Sequence, residues 1–270
     1  MWDEPALGCG GAFGIALVTL GPVREFAMRM PSLFRPSRRR KPAPMPPDID
    51  DDARNVIETV APFTMTSPER ILALRDAVKH VCRHRIPGAI AECGVWRGGS
   101  MMAAALTLLA IGDRRHLWLY DTFEGMPPPA DTDRDVHGTD AATLLAAEDR
   151  QTGGTWCYSP LDDVKANVLA TGYPADLVHF VQGRVEETIP AVMPHEIAIL
   201  RLDTDWYEST KHELEFLYPR LAVGGVLIID DYGHWQGARR AVDEYIEATG
   251  ARLFLSRIDY TGRLAVKLDP

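Results

Sequence analysis

Cysteine is scarce in this sequence, and its few cysteines are not spaced for metal binding. The four cysteines among 270 residues form no CxxC pair, so neither a zinc site nor a disulfide framework is indicated. Positive charge is also in short supply, with 29 Lys and Arg against 38 Asp and Glu and a net charge of −9. Nucleic acid is therefore excluded as a bulk electrostatic partner, because phosphate binding relies on basic side chains. We expect free thiols in a reducing cytoplasm.

No run of residues is apolar enough to predict a membrane span. Residues 5–22 are mostly apolar but rich in glycine, and acidic Asp3 and Glu4 precede them. A span needs about 20 strongly apolar residues, and a signal peptide needs a basic start and a small-residue cleavage site, neither of which is clear here. We therefore expect a cytoplasmic protein without stable membrane insertion, and a true start at Met28 or Met30 is an alternative that the sequence leaves open.

The next stretch, residues 31–50, combines proline and arginine and has no hydrophobic periodicity. Such a composition buries too little apolar surface to fold. We predict that residues 1–50 are a disordered or wrongly included tail, and that residues 51–270 form the folded domain.

Helical and strand patterns alternate from about residue 52 onward. This alternation is typical of an α/β fold, in which helices cover both faces of a mostly parallel sheet. Strand patterns occur at residues 87–94, 116–121, 177–183, 197–203 and 225–231. Helical patterns occur at residues 67–85, 98–110, 159–170, 207–220 and 236–249. The chain closes with two strand patterns, 252–258 and 263–268, whose spacing around DYTG predicts an antiparallel hairpin.

A long polar stretch follows the second predicted strand. Residues 128–158 show weak periodicity, and only DAATLLAAE suggests a helix within them. A structureless segment of this length inside a compact domain is usually functional. We predict a lid-like insertion.

Acidic residues follow four of the five predicted parallel strands. They are Glu92, Asp121, the pair Asp203 and Asp205, and the pair Asp230 and Asp231. Ligands of open α/β sheets bind outside the carboxyl ends of the strands, and unpaired buried charge is costly. Three or four carboxylates at this edge make a hard oxygen site suited to magnesium, calcium or manganese.

The first strand-to-helix turn, residues 92–100, reads ECGVWRGGS. Its glycines let the backbone approach a ligand, and the following helix favours an anionic group at its N-terminus. Gly94 and Gly98 are four positions apart, so this turn is not the GxGxxG cradle of a pyrophosphate. Asp121 would accept hydrogen bonds from ribose hydroxyls, and Gln182 would lie near an adenine. A nucleoside ligand without a pyrophosphate loop points to S-adenosylmethionine.

The sequence also contains long contiguous motifs: TMTSPER at 64–70, ECGVWRGGS at 92–100, YDTFEGMP at 120–127, LRLDTDWYESTKHELEFLYPRLAVGGVLIIDDYG at 200–233 and ARRAVDEY at 238–245. Together they resemble the macrocin O-methyltransferase family, whose studied members methylate sugar hydroxyls on macrolide and aminocoumarin antibiotics. The resemblance implies a class I, Rossmann-like methyltransferase fold. It also implies an enzyme that uses S-adenosylmethionine and magnesium to methylate a hydroxyl of a sugar or glycosylated acceptor.

Roles for individual residues follow from the same resemblance. Asp203, Asp230 and Asp231 become the metal ligands, and Asp205 becomes the candidate general base. The donor would contact Met65, Glu92, Gly94, Val95, Trp96, Arg97, Gly98, Asp121, Phe123, Glu124 and Gln182. The sequence departs most from the family in residues 128–158, where acceptor specificity is expected.

Several alternatives stay open at this point. His234 and His137 are rival general bases. A catechol or another phenol would bind a metal much as a sugar diol does. The sequence Asp203-Thr204-Asp205 after a strand also resembles haloacid dehalogenase phosphatases, and a non-catalytic binding module with the same fold is a third alternative. The acceptor, whether a small molecule or a glycan, and homo-oligomerisation are left open.

Overall fold

Seven strands form one sheet in the computed structural model, which describes residues 46–269. In chain order they are β1 (Ala89–Cys93), β2 (Leu117–Asp121), β3 (Val178–Gln182), β4 (Ile197–Leu202), β5 (Leu221–Ile229), β6 (Ser256–Arg257) and β7 (Arg263–Val266). Their order across the sheet is β3-β2-β1-β4-β5-β7-β6. Strands β1 to β5 pair in parallel, and β7 pairs antiparallel with β5 and β6. The predicted parallel sheet with a C-terminal antiparallel hairpin is therefore confirmed.

The α-helices of the described residues are α1 (Asp51–Val60), α2 (Pro68–Arg83), α3 (Gly99–Ile111), α4 (Ala141–Ala146), α5 (Leu161–Leu169), α6 (Val185–Thr188), α7 (Tyr207–Phe216) and α8 (Gln236–Thr249). Helix α2 begins as the sequence predicts, because the Ser67 hydroxyl accepts a hydrogen bond from the Arg70 amide and Pro68 occupies the first turn. Helix α3 ends at Gly112, which has a left-handed φ of 78°.

Two hydrophobic layers hold the helices on the sheet. On one face, Ile57 of α1, Leu74 of α2 and Leu108 of α3 belong to the same buried cluster as Leu117 and Leu119 of β2. On the other face, buried side chains of α7 and α8 pack with side chains of β4 and β5, namely Leu214, Val242, Leu200 and Leu227. With both faces covered, the edge at the carboxyl ends of the strands is left for a ligand.

Three element predictions need correction. The strand predicted at 252–258 is reduced to Ser256–Arg257, because Leu253 and Leu255 pack against the core instead of joining the ladder. The helix predicted at 207–220 ends at Phe216, before a short 3-10 turn that contains Pro219. Helix α1 has no counterpart among the predicted elements.

Residues just before the predicted boundary at residue 51 also belong to the domain. Ile49 is buried in the core, and the Asp50 side chain accepts a hydrogen bond from the Ala53 amide to cap α1. The predictions for the remainder of the tail, including the apolar stretch 5–22, concern residues outside those described. Within residues 46–269, no helix has the length and apolar character to cross a membrane.

The predicted insertion, residues 128–158, has its own fixed contacts. Helix α4 packs Ala141 and Leu145 against Trp206 and Trp235, which follow β4 and β5. The Asp133 carboxylate accepts a hydrogen bond from the Tyr207 amide at 2.8 Å, at the start of α7. The segment is therefore structured and docked, and its opening and closing as a lid stay a prediction.

Candidate active site

The carboxyl ends of β1, β2, β4 and β5 open into one cavity of about 380 Å³, a size usual for small-molecule sites. Predicted residues that line it are Met65, Gly94, Val95, Trp96, Asp121, Asp203, Asp205, Asp230 and Asp231. Predicted residues that are not part of its lining are Glu92, Arg97, Gly98, Phe123, Glu124 and Gln182, although Gly183, next to Gln182, does line it. The structure thus brings the glycine-rich turn and the acid pairs together in one cavity.

Asp121 organises the turn that follows β1. One carboxylate oxygen accepts hydrogen bonds from the amides of Val95 at 2.7 Å and Trp96 at 3.0 Å. The other oxygen accepts from the Phe123 amide at 2.7 Å. Burial raises the pKa of Asp121, and these amide bonds act in the opposite direction. The role of Asp121 as a ribose ligand stays a prediction, whereas its bonds to the backbone amides of this turn are a feature that the sequence did not reveal.

Gly94 sets the distance between the turn and the neighbouring strand. Its φ is 81°, and a Cβ atom added there would lie 1.9 Å from the backbone oxygen of Asp203. The Gly94 amide donates to the Tyr120 carbonyl at 2.9 Å. The glycine therefore serves close backbone packing between β1, β2 and β4, in a conformation that other residues rarely adopt.

Glu92 was predicted as a cofactor contact, and in the structure its side chain is bonded to Arg201. Its side chain is 1% exposed and accepts a hydrogen bond from Arg201 Nη1 at 2.5 Å, inside the sheet. Burial raises the pKa of Glu92 to about 7, and the positive charge of Arg201 limits that rise. Glu92 therefore contributes to the site through Arg201 and not by facing the cavity.

Arg201 lines the same cavity, and the sequence reasoning missed it. Its guanidinium also bonds Asp203 at 2.6 Å and Asp230 at 2.5 Å, so that one buried cation lies among three acids. A signal was present in the sequence, because Arg201 interrupts the otherwise apolar strand IAILRL. A buried cation at such a position requires carboxylate partners.

Asp230 was predicted as a metal ligand, and in the structure both of its carboxylate oxygens face arginines. One oxygen accepts from Arg201, and the other pairs with Nη1 of Arg70. The carboxylate oxygens that converge within 4.8 Å of one another instead come from Asp203, Asp205 and Asp231. The sequence placed four acids at this edge correctly, but it could not show which of them the two arginines engage.

Asp205 occupies a sharp turn between β4 and α7. Its φ is 66°, and its amide donates to Asp231 Oδ2 at 3.3 Å. Burial raises the pKa of Asp205 to about 7, with a further contribution from the negative charge of Asp203. Burial likewise raises the pKa of Asp203 and of Asp231 well above the usual range. The three carboxylates therefore favour a bound cation or a shared proton.

The two rival histidines are separated by the structure. His234 lines the cavity, next to Trp235 and Tyr260, and burial lowers its pKa. His137 is not among the lining residues.

Two aromatic residues after β4 have hydrogen-bond partners within the protein. Trp206 donates its indole N–H to the Pro127 carbonyl at 3.0 Å, and the Tyr207 hydroxyl bonds Glu244 at 2.7 Å.

Comparisons with known proteins agree with this arrangement. The macrocin-O-methyltransferase (TylF) family matches residues 26–266. A 4'-O-methyltransferase of 8-demethyl-8-(2,3-dimethoxy-alpha-L-rhamnosyl)-tetracenomycin-C from Streptomyces olivaceus is 38% identical over 200 residues, which cover 74% of this chain and 73% of that protein. Mycinamicin III 3''-O-methyltransferase from Micromonospora griseorubida is 35% identical over 205 residues, covering 76% of this chain and 78% of that protein.

The structure of the O-methyltransferase NovP superposes with a TM-score of 0.67 and 31% identity, and covers 77% of this chain and 83% of NovP. The predicted class I methyltransferase fold, which uses S-adenosylmethionine, is therefore confirmed. This result also removes the phosphatase and the non-catalytic module from the alternatives. The chain belongs to the macrocin O-methyltransferase family and is an O-methyltransferase.

Proposed function

We propose that this protein transfers the methyl group of S-adenosylmethionine to a sugar hydroxyl of a glycosylated small molecule, with Mg²⁺ at the acid cluster. The main support is that the turn from Gly94 to Trp96 lines the same cavity as the carboxylates of Asp203, Asp205 and Asp231. Donor and acceptor can thus lie side by side. The S. olivaceus and M. griseorubida relatives, whose names specify sugar positions, support the acceptor class.

The donor would lie against the turn after β1. Val95 and Trp96 are fixed there by Asp121, and Met65 reaches the same cavity from the segment before α2. Met65 is 52% exposed, which leaves its thioether available to cover a ligand. Gly183 lines the cavity where the sequence placed the adenine.

A hard dication fits the acid cluster. Magnesium is usually bound through one or two carboxylates together with waters and substrate oxygens, and Asp203 and Asp231 supply two carboxylates whose oxygens converge. Asp230, held by two arginines, would keep those arginines in place. When bound, the dication would act as a Lewis acid that lowers the pKa of an acceptor hydroxyl and orients it.

Asp205 then serves as the general base. As the acceptor oxygen forms its bond to the methyl carbon, the carbon–sulfur bond breaks, the sulfur keeps the electron pair, and Asp205 takes the hydroxyl proton. A base must lie within reach of the proton that it removes, and the Asp205 carboxylate lines the same cavity as the carboxylates of Asp203 and Asp231. The cavity walls would also align the reactants, which supplies a large part of the rate in such reactions.

Calorimetric titration of S-adenosylmethionine and of Mg²⁺ tests these assignments. We expect the wild type to bind both, Asp203→Asn and Asp231→Asn to bind only the donor, and Asp205→Asn to bind both while losing transfer. Asp230→Asn should still bind Mg²⁺, and Asp176→Asn, at an exposed position, is the matched control.

If Asp230→Asn loses Mg²⁺ binding while circular dichroism shows an intact fold, Asp230 is a metal ligand. Absence of Mg²⁺ binding by the wild type would remove the metal from the mechanism. Absence of donor binding would contradict the assignment of the cavity.

A further inference from the structure

The hairpin turn between β6 and β7 forms part of the cavity wall. Tyr260 and Thr261 of this turn line it together with His234, Asp205 and Asp231. The turn has no role in the proposed chemistry, and none of its residues carries a predicted function. Its side chains are therefore candidates for recognising the acceptor.

The backbone of this turn is tightly held. Asp259 accepts hydrogen bonds from the Ser67 hydroxyl at 2.8 Å and the Gly262 amide at 2.7 Å, and it pairs with Arg70 Nε at 3.0 Å. The Thr261 hydroxyl donates to the Asp230 carbonyl at 2.6 Å. The turn is thus attached both to the start of α2 and to the end of the acid-bearing strand β5.

A second contact fixes the turn to the loop after β5. The Gly233 amide donates to the Thr261 carbonyl at 2.9 Å. A Cβ atom added at Gly233 would lie 2.0 Å from the Tyr260 carbonyl oxygen, so only glycine allows this approach. The position of the Tyr260 backbone relative to Asp231 is consequently determined to within a narrow range.

The backbone of Tyr260 is fixed in this way, but its side chain is 56% exposed. The hydroxyl lies 3.1 Å from His234 Nδ1, and the two rings meet edge to face at 88° with centroids 5.9 Å apart. His234 in turn contacts Trp235 edge to face, at 5.0 Å. Three aromatic rings, one of them largely open to solvent, therefore stand beside the acid cluster.

We propose that Tyr260, oriented by His234, is a specificity-determining residue that packs against the sugar ring of the acceptor; the proposal rests on the function proposed above. The face of a tyrosine ring packs against the C–H face of a pyranose through apolar contact, and the tyrosine hydroxyl can form a hydrogen bond with a sugar hydroxyl. One nitrogen of the His234 ring, Nδ1, is within hydrogen-bond distance of the Tyr260 hydroxyl, which leaves the other nitrogen for the ligand. Ligand binding would order only the Tyr260 side chain, because the backbone of the turn is already fixed. The conformational entropy lost on binding is therefore small.

Steady-state kinetics on a neutral aryl α-L-rhamnoside tests this role, with S-adenosylmethionine at saturation. Tyr260→Ala should raise the KM for the rhamnoside by about tenfold or more, with kcat changed by less than about threefold and the donor Kd unchanged. Tyr260→Trp keeps an aromatic face and should restore most of the affinity. Phe254→Ala is the matched control, because Phe254 is 83% exposed near the same hairpin but does not line the cavity.

Each outcome decides one question. If the wild type transfers methyl to the rhamnoside and Tyr260→Ala keeps its KM within about twofold, the role of Tyr260 is overturned. An equal loss of donor affinity in Tyr260→Ala would also overturn it, because the contact would then be structural. If the wild type methylates no glycoside while it binds the donor, the proposed function fails instead. Should Tyr260→Ala not fold, Tyr260→Trp against Tyr260→Leu makes the same comparison.

Discussion

Arg201 and Asp230 form a 2.5 Å ion pair inside the sheet, with side chains 4% and 3% exposed. Arg201 bonds Glu92 and Asp203 as well, so its single positive charge neutralises part of an acid cluster that would otherwise repel itself. Removing one member of a buried ion pair leaves the others uncompensated, which is far more costly than the pair is stabilising. Both the stability of the domain and the geometry of the acid cluster therefore depend on Arg201.

Arg201→Met is therefore expected to lower the free energy of unfolding by about 3–5 kcal/mol. Urea denaturation followed by circular dichroism measures the change. Arg252→Met removes an exposed pair with Asp269 and should have little effect, since exposed pairs contribute little. A cost for Arg201→Met below about 1 kcal/mol would mean that the acids are compensated in another way.

Gly94→Ala should abolish donor binding and weaken the fold. The added Cβ would meet the Asp203 backbone oxygen at 1.9 Å, at a φ of 81°, so the turn must separate from β4. Gly112→Ala has a similar φ of 78° but meets nothing within 4 Å, and it isolates the cost of the backbone conformation. That cost is about 1–2 kcal/mol. Donor titration calorimetry should find no binding for the first variant and normal binding for the second; equal behaviour would contradict the packing argument.

Glu213→Gln should change how stability depends on pH. The Glu213 side chain is fully buried and accepts a hydrogen bond from the Thr204 hydroxyl at 2.9 Å, and burial raises its pKa well above the usual range. The folded state therefore holds this proton more strongly than the unfolded state, and its stabilising effect is lost as the pH rises above the ordinary value of 4.5.

The variant has no such proton to lose. From about pH 5 to about pH 8, the free energy of unfolding of the wild type should fall relative to that of Glu213→Gln, as measured by urea denaturation at each pH. Glu247→Gln, at an exposed position of α8, controls for the removal of a carboxylate. A constant difference between wild type and Glu213→Gln across this range would refute the assignment.

Asp133→Ala should detach the insertion from the start of α7. The buried Asp133 carboxylate accepts from the Tyr207 and Ala130 amides, both at 2.8 Å. Faster hydrogen exchange in residues 128–158 and reduced methyl transfer are expected, with donor binding largely retained. Asp131→Ala is the control, since Asp131 is exposed two residues away. Parallel loss of donor binding and transfer would instead indicate general unfolding.

The sequence was a good guide to the sheet and to the edge on which the site lies. Strand patterns at 87–94 and 225–231 locate β1 and the end of β5, because period and length are local properties. The acids at the strand ends follow from the same register. The shortened β6 was missed because tertiary packing of residues such as Leu253 decides it. Helix α1 was missed although its signal is local, since Asp50 caps it and Ala53, Ile57 and Val60 recur at helical spacing.

Partners that are distant in sequence were beyond prediction. Arg70 forms an ion pair with Asp230, which is 160 positions away in the sequence. Asp121 accepts a hydrogen bond from the amide of Val95, which is 26 positions away. Such pairs depend on how the strand ends meet in space. The resemblance to the family suggested the chemistry, but only the fold shows which aspartates are bonded to Arg201 and Arg70.

Transfer from S-adenosylmethionine with an isotopically labelled methyl group tests the central claim most directly. The purified protein would be incubated with a neutral aryl α-L-rhamnoside or with catechol, with and without a chelator, and the products located by mass spectrometry and NMR. We predict one labelled methyl on a sugar hydroxyl, lost with the chelator, restored by Mg²⁺ and absent with Asp205→Asn. Label on catechol alone, or transfer to the sugar that the chelator leaves unchanged, would contradict the account.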